Sequence, residues 1–200
     1  MKFLLPLALL SSSLAAAVRA EDAATATVQP MIDTEARKTH DGFTGAILAT
    51  TDRDWAGKWN NPTGDKPDFT LATSVPPGRP VFVLVFFVNP KLDGDGNVNV
   101  RCDIRITGPD GTVTLDRKDS ACFEGRYAGG ANDVALAPGS INFSGEPDDP
   151  EGFWTFEVML RDANRNTELP LKTGFTLSRP KAKPAAADKP AAAAKKKAKK

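Results

Sequence analysis

The stretch PVFVLVFFVN, Pro80 to Asn89, is nearly continuous Val and Phe, and VNVRCDIRIT, Val98 to Thr107, follows it with clean alternation. An unbroken apolar run of strand length, rich in β-branched and aromatic residues, predicts a strand buried on both sides or a sandwich-core strand. In the second stretch Val98, Val100, Cys102, Ile104 and Ile106 fall on one face, and Asn99, Arg101, Asp103 and Arg105 on the other. Side chains alternate along a strand, so one face packs on a core and the other meets water. Working outward, Gly108-Pro109-Asp110-Gly111 reads as a turn, with Pro setting φ and Asp-Gly tolerating the remaining angles. It joins the alternating strand to Thr112 to Asp116 as a hairpin.

The same punctuation recurs along the chain. Thr44 to Thr51 and Phe69 to Ser74 are predicted strands, and Val134 to Phe143 reads as two short pieces around Pro138-Gly139. Phe153 to Leu160 alternates, with Trp154, Phe156, Val158 and Leu160 inward, and Leu169 to Leu177 closes the set. Roughly eight short strands with Gly, Pro, Asn and Asp turns, and no long amphipathic helix, predict an all-β antiparallel sandwich.

The order of these pieces resembles the immunoglobulin-like or fibronectin type III-like sandwiches of secreted bacterial proteins. Pro77-Gly78 before the core strand, the Gly-Pro-Asp-Gly hairpin, and Pro150-Glu151-Gly152-Phe153-Trp154 opening the penultimate strand carry the resemblance, over residues 43–178. It is architectural and implies no activity, since this superfold hosts many unrelated roles. It departs from the antibody pattern because Cys102 and Cys122 lie too close in sequence for the usual bridge between sheets around a buried Trp.

The ends of the chain are different in kind. Residues 1–20, MKFLLPLALLSSSLAAAVRA, have a Lys2 start, an apolar run from Phe3 to Leu10 and a small-residue exit at Val18-Arg19-Ala20, which reads as a secretory signal. That run is well short of the roughly 20 apolar residues of a spanning helix, so the protein is not expected to span a membrane. Residues 21–42 read as a flexible polar leader. Residues 179–200 are Lys, Ala and Pro, nine basic groups against Asp188, with little to bury, and read as a disordered basic C-terminal tail. The chain as a whole is nearly neutral at +1, yet residues 21–178 hold 15 basic against 24 acidic residues. The expected address is outside a bacterial cytoplasm, periplasmic or secreted. In that oxidising setting Cys102 and Cys122 are expected to form one structural disulfide.

Candidate chemistry is sparse. One His rules out a site that needs two, and His40 lies in the leader. No Ser stands in a G-x-S-x-G or S-x-x-K context, so no catalytic residues are assigned and the protein is read as a non-enzyme. Asp93, Asp95 and Asn97 place oxygen ligands at alternate positions, as a calcium loop begins, but the sixth and twelfth positions hold Val98 and Ile104 rather than Gly and Glu. They read first as a hairpin tip and second as a weak calcium site; no other cofactor is implied. Glu146, Asp148, Asp149 and Glu151 read as a solvated acidic loop. Trp55 and Trp59 lie four apart, so on a helical turn they share a face able to stack on a sugar ring or a partner, or simply to cap a core.

Lys195, Lys196, Lys197, Lys199 and Lys200 suit nonspecific attraction to an anionic polymer or surface. No aromatic is interleaved with them, which argues against sequence-selective nucleic-acid recognition. The reading that follows is an exported binding or assembly module that meets an envelope protein or polysaccharide through its loops or an exposed face, with the tail as an electrostatic tether. A carbohydrate-binding module using Trp55 and Trp59, or a secreted hydrolase built on carboxylates, are the alternatives.

Overall fold

The computed structural model describes residues 33–180 apart from 62, 64 and 65. The stretch read as a secretory signal, most of the stretch read as a leader, and the tail lysines from Lys181 onward lie outside the described residues.

The fold is the all-β sandwich that the alternation predicts. Among the described residues there are nine strands, β1 (Arg37–His40), β2 (Phe43–Thr50), β3 (Ser74–Val75), β4 (Pro80–Val88), β5 (Asn97–Thr107), β6 (Val113–Arg126), β7 (Val134–Ser144), β8 (Gly152–Asp162) and β9 (Thr167–Leu177), and one short helix, α1 (Trp55–Trp59), between β2 and β3. Sheet one runs β1-β2-β4-β7 and sheet two β3-β9-β8-β5-β6. All pairings are antiparallel except β3 with β9, which is parallel, so sheet two is mixed.

The strand-period readings survive best where one face is apolar. The inward sets on β5 and β8 are as expected, and every one of those side chains is buried. Phe143 organises one end of the core, with ring centroids 4.7 Å from Trp154, 5.7 Å from Phe156 and 5.6 Å from Phe175. Edge-to-face rings of this kind add specific attraction to the area they bury. The Trp154 indole N–H donates to the Pro150 carbonyl at 3.2 Å, which satisfies the one polar atom it takes inside. Gly45 sits where β2 crosses sheet two: a Cβ there would lie 2.6 Å from a Leu160 methyl.

Four expectations need correction. The stretch read as leader up to residue 42 contains β1, because Arg37–His40 pairs with Phe43–Ala46 around the Asp41-Gly42 turn, where both residues take positive φ. Phe69 to Ser74 is not a strand; Thr50–Leu71 is an isolated bridge and only Ser74–Val75 pairs further. The second arm of the hairpin runs to Arg126 rather than Asp116, with three register shifts against β5. Val134 to Ser144 is one strand whose Pro138-Gly139 forms a bulge opposite Leu84 to Phe86, rather than two strands around a turn.

One side of the sandwich is closed and the other open. On the closed side the start of the described chain crosses between the sheets, with the Ile47 N–H donating to the Ala36 carbonyl (2.9 Å) and the Lys172 N–H to the Glu35 carbonyl (2.7 Å). On the other side β6 and β7 are both edge strands.

Candidate functional site

The outer faces of the two sheets differ. On sheet one, even-numbered residues of β4 point away from the core, and after Pro80 they are Phe82, Leu84, Phe86 and Val88. An apolar outer face needs a cover, and the described residues between 51 and 73 supply it: Leu84 is fully buried, and Phe86 has Trp59 at 5.4 Å and Phe69 at 6.4 Å between ring centroids. The cover is tied down by Asp52, whose carboxylate accepts from Lys58 Nζ (2.7 Å) and from the Thr70 N–H (2.8 Å). Burial pushes the Asp52 carboxyl up, but these donors outweigh it and hold it at about 2. Lys58 also donates to the Asp68 carbonyl at 2.8 Å. Helix α1 starts where the Asp54 side chain accepts the Gly57 N–H and stops at Asn60, whose amide folds back on the Ala56 carbonyl. Trp55 and Trp59 do share one helical turn. Both are half-buried, and Trp59 is engaged with Phe86, so the pair serves first as cover for the sheet.

Sheet two presents charge. Strand register places Lys172, Glu157, Arg105 and Asp116 in one row across β9, β8, β5 and β6, so that sign alternates from strand to strand. Opposite charges directly across a ladder attract, and this row follows that rule throughout. One rung along, Pro170 and Met159 stand beside Asp103. Asp103 accepts from Arg161 at 2.6 Å and from the Asp119 N–H at 2.9 Å, with Lys118 at 3.6 Å. The Arg161 guanidinium, followed by the Asp119 N–H, holds the Asp103 carboxyl well below the usual carboxylate range. Arg105 donates to Asp116 at 2.8 Å, and Arg101 reaches Asp119 at 3.1 Å and Glu124 at 3.3 Å. Asp116 and Asp119 are likewise lowered, by their hydrogen bonds to Arg105 and Arg101 respectively. A carboxyl kept ionised in this way is the opposite of the raised acid that general-acid catalysis requires.

A cleft of about 500 Å³ opens on this face, floored by Met159 and Pro170 and walled by Glu35 and Lys38 on one side and Lys118 on the other. Sequence reasoning missed it, because the β1 wall lay in the stretch read as leader and the far wall beyond the predicted end of β6. The alternation of Arg101, Asp103 and Arg105 with apolar residues was the available signal; read only as a wet face, it did not reveal which cross-strand partners those charges meet.

The remaining sequence-predicted residues lie apart from the cleft. Cys102 and Cys122 form the expected disulfide, Cα–Cα 5.7 Å, between neighbouring strands of one sheet. Cys102 pairs with Ser120 in register, and Cys122 is the extra residue between Ala121 and Phe123 in a bulge of β6. Asp93 is spent on its own turn: Oδ1 accepts the N–H groups of Asp95 (2.9 Å) and Asn97 (2.8 Å), and the Asn97 amide points an N–H at Oδ2 (3.5 Å). The Asn97 N–H, against an opposing effect of burial, holds the Asp93 carboxyl down. That donor pattern builds a hairpin tip and leaves the calcium expectation without support from geometry. No group of three or more His, Cys, Asp or Glu is placed to hold a metal among the described residues. His40 is exposed, 3.5 Å from Asp41. At the acidic loop, Arg179 donates to Glu151 at 2.9 Å and to the carbonyls of Asp149 (2.9 Å) and Pro147, which fixes where the basic tail leaves the body. Lys195, Lys196, Lys197, Lys199 and Lys200 lie outside the described residues.

Compared with known proteins, the chain matches no family model and no curated protein. Among solved structures it is similar to a family 123 glycoside hydrolase from Clostridium perfringens that acts on glycolipid glycans, at 10% identity and a TM-score of 0.40, with 68% of this chain and 27% of that chain covered. The chain thus spans about a quarter of that structure, and a likeness this distant carries no functional argument.

Proposed function

We propose that this protein is a non-catalytic, exported binding module of immunoglobulin-like kind, periplasmic or secreted, that meets an envelope protein or polysaccharide through an exposed sandwich face. The observation that carries this reading is the contrast between the two outer faces. Sheet one hides its apolar face under residues 51–73, whereas sheet two leaves a charged cleft of about 500 Å³ open, a size that suits specific ligand recognition. The body is acidic and the tail basic, so the tail acts as a nonspecific tether to anionic envelope material, rooted at Arg179.

The test is retention on isolated envelope material by the mature chain, by a chain ending at residue 180, and by a cleft variant carrying Glu157→Lys. Truncation is expected to weaken adsorption at low salt and to matter little above about 0.5 M salt, where charges are screened within a few ångströms. The cleft variant is expected to lose the salt-resistant fraction. Equal adsorption by all three chains at both salt levels overturns the proposal. The carbohydrate alternative rests on Trp55, the half-buried indole of the pair not engaged with Phe86; quenching of its fluorescence by a polysaccharide is the observation that would favour it.

A further inference from the structure

Just beyond the cleft, the outer face of sheet two carries an exposed aromatic ring. Trp154 and Phe156 point into the core, so Phe153, Thr155 and Glu157 point outward along β8. Phe153 is 54% exposed. Its ring leans along the sheet onto Gly174: a Cβ there would lie 2.6 Å from Phe153 Cζ and 2.7 Å from Cε1, so the glycine leaves the hollow in which the ring is seated. Covering a strand glycine in this way steadies the sheet, which accounts for one side of the ring and leaves the other open to water. Strand register sets Gly174, Thr155, Thr107 and Val113 in one row, with Thr176 opposite Phe153 itself. The hydroxyls of Thr107, Thr155 and Thr176 make no hydrogen bond among the described residues. The next row, Lys172, Glu157 and Arg105, already lines the cleft.

We propose that this face binds a neutral glycan, one pyranose ring of which packs on Phe153 over Gly174 while the hydroxyls of the following sugar residues meet Thr155 and Thr107 and then Glu157 and Lys172 in the cleft. This rests on reading the face as a recognition surface, and it names polysaccharide rather than protein as the occupant. Three features select that class. The open side of a flat ring offers apolar area to the C–H face of a pyranose. The free threonine hydroxyls beside it donate and accept, as sugar hydroxyls do. Beyond them, sign alternates from Lys172 to Glu157 to Arg105, so a polyanion or a polycation meets a like charge at every second strand, whereas an uncharged polyol donates to the carboxylate and accepts from the cations. From Phe153 to Glu157 the strand advances about 13 Å. With the cleft of about 500 Å³ at its end, the site takes an oligosaccharide rather than a single sugar. One ring and polar groups open to water give modest affinity, on the order of 1 mM.

The experiment follows the backbone amide signals of Thr155 and Gly174 in isotope-labelled mature protein during titration with the hexasaccharides of α-1,4-glucose, β-1,3-glucose, β-1,4-mannose and β-1,4-xylose, and with hexagalacturonate as the charged counterpart. Both signals are expected to shift and saturate with at least one neutral hexasaccharide and to stay still with the galacturonate. Phe153→Leu keeps an apolar cap on Gly174 but removes the ring, and is expected to weaken binding at least tenfold while the thermal midpoint stays near that of the parent. Phe153→Tyr is expected to bind like the parent, and Thr155→Val to weaken binding severalfold. No shift with any neutral hexasaccharide up to about 10 mM, a shift with the galacturonate alone, or unchanged binding by Phe153→Leu overturns the site. Loss of binding in Trp55→Phe with full binding in Phe153→Leu places the sugar on the helix instead and overturns it equally. If a hexasaccharide binds while envelope adsorption is absent, the envelope reading falls and the site stands. If adsorption depends on Glu157 while no hexasaccharide binds, the face meets a protein and the glycan site alone falls.

Discussion

Asp162 is fully buried, and its carboxylate is held by Arg165 three residues on: Arg165 Nε donates to Oδ2 at 3.2 Å and the Arg165 N–H to Oδ1 at 3.2 Å. The Lys91 N–H adds a third donor at 2.7 Å. Arg165 then spends its other nitrogens on the carbonyls of Asp41 and Asn89, both at 2.8 Å, so one guanidinium ties the β1–β2 turn, the end of β4 and the β8–β9 turn together. Removing it leaves a buried charge short of donors and two carbonyls unmet. Arg165→Ala is therefore expected to cost about 3 kcal/mol of stability, and Arg165→Lys to recover only part of that, since a lysine lacks the forked geometry. Urea unfolding curves decide it; a loss below about 0.5 kcal/mol would refute the clamp.

Asp52 gives the cover over sheet one a pH dependence. Its carboxyl sits at about 2 in the folded chain against 3.8 unperturbed, so its contribution is fully present above about pH 4 and fades as pH falls through about 2. Between those values residues 51–73 should loosen, with Trp59 emission shifting to the red as Phe86 loses its neighbour. Asp52→Asn should show the shifted emission already at neutral pH. Emission flat from pH 5 to pH 2 in the parent would remove Asp52 as the anchor.

Reducing the Cys102–Cys122 bridge should act on one edge of the molecule. For the 20-residue separation, loop-closure entropy predicts a loss of about 3 kcal/mol. Because the bridge joins β5 to the edge strand β6, hydrogen exchange is expected to quicken first in residues 113–126 and last in β8. Uniform acceleration across both sheets would contradict this placement.

Gly45 tests the closeness of the sheets. A methyl at this position would overlap Leu160 and press on Leu169 and Leu171, at 2.6, 3.1 and 3.2 Å. Gly45→Ala is expected to destabilise by about 1 to 3 kcal/mol through overpacking, although alanine suits a strand better than glycine does. Thermal unfolding at or above the parent midpoint would mean that β2 can move away at little cost.

The strands were legible in the sequence wherever burial on one face enforced a period of two. Val98 to Ile106 and Trp154 to Leu160 can be placed inward from pattern alone, whereas the pattern of Pro80 to Asn89 fits either a strand buried on both sides or a sandwich-core strand, and the structure gives it a second cover made by a loop with Trp59. What escaped was held together by long-range partners. Arg37–His40 is polar throughout and becomes a strand only because β2 lies beside it. The outer half of β6 is polar and interrupted by bulges, so its periodicity is erased. The cleft joins residues 35, 118 and 172 across three parts of the chain, and no local spacing encodes such a meeting. The disulfide was legible from the cysteine count together with an expected oxidising compartment, whereas its place within one sheet required the register.

The open side of the sandwich bears on how the protein behaves when crowded. β6 and β7 each end their sheet, and an edge strand is the template by which copies can stack into fibrils. Asp116, Arg117, Lys118 and Asp119 crowd charge along one margin, bulges twist it, and Pro138 interrupts the other. Lys118, which lines the cleft, therefore also helps keep neighbouring molecules from zipping together, so a substitution that neutralises it risks insolubility before it reports on binding.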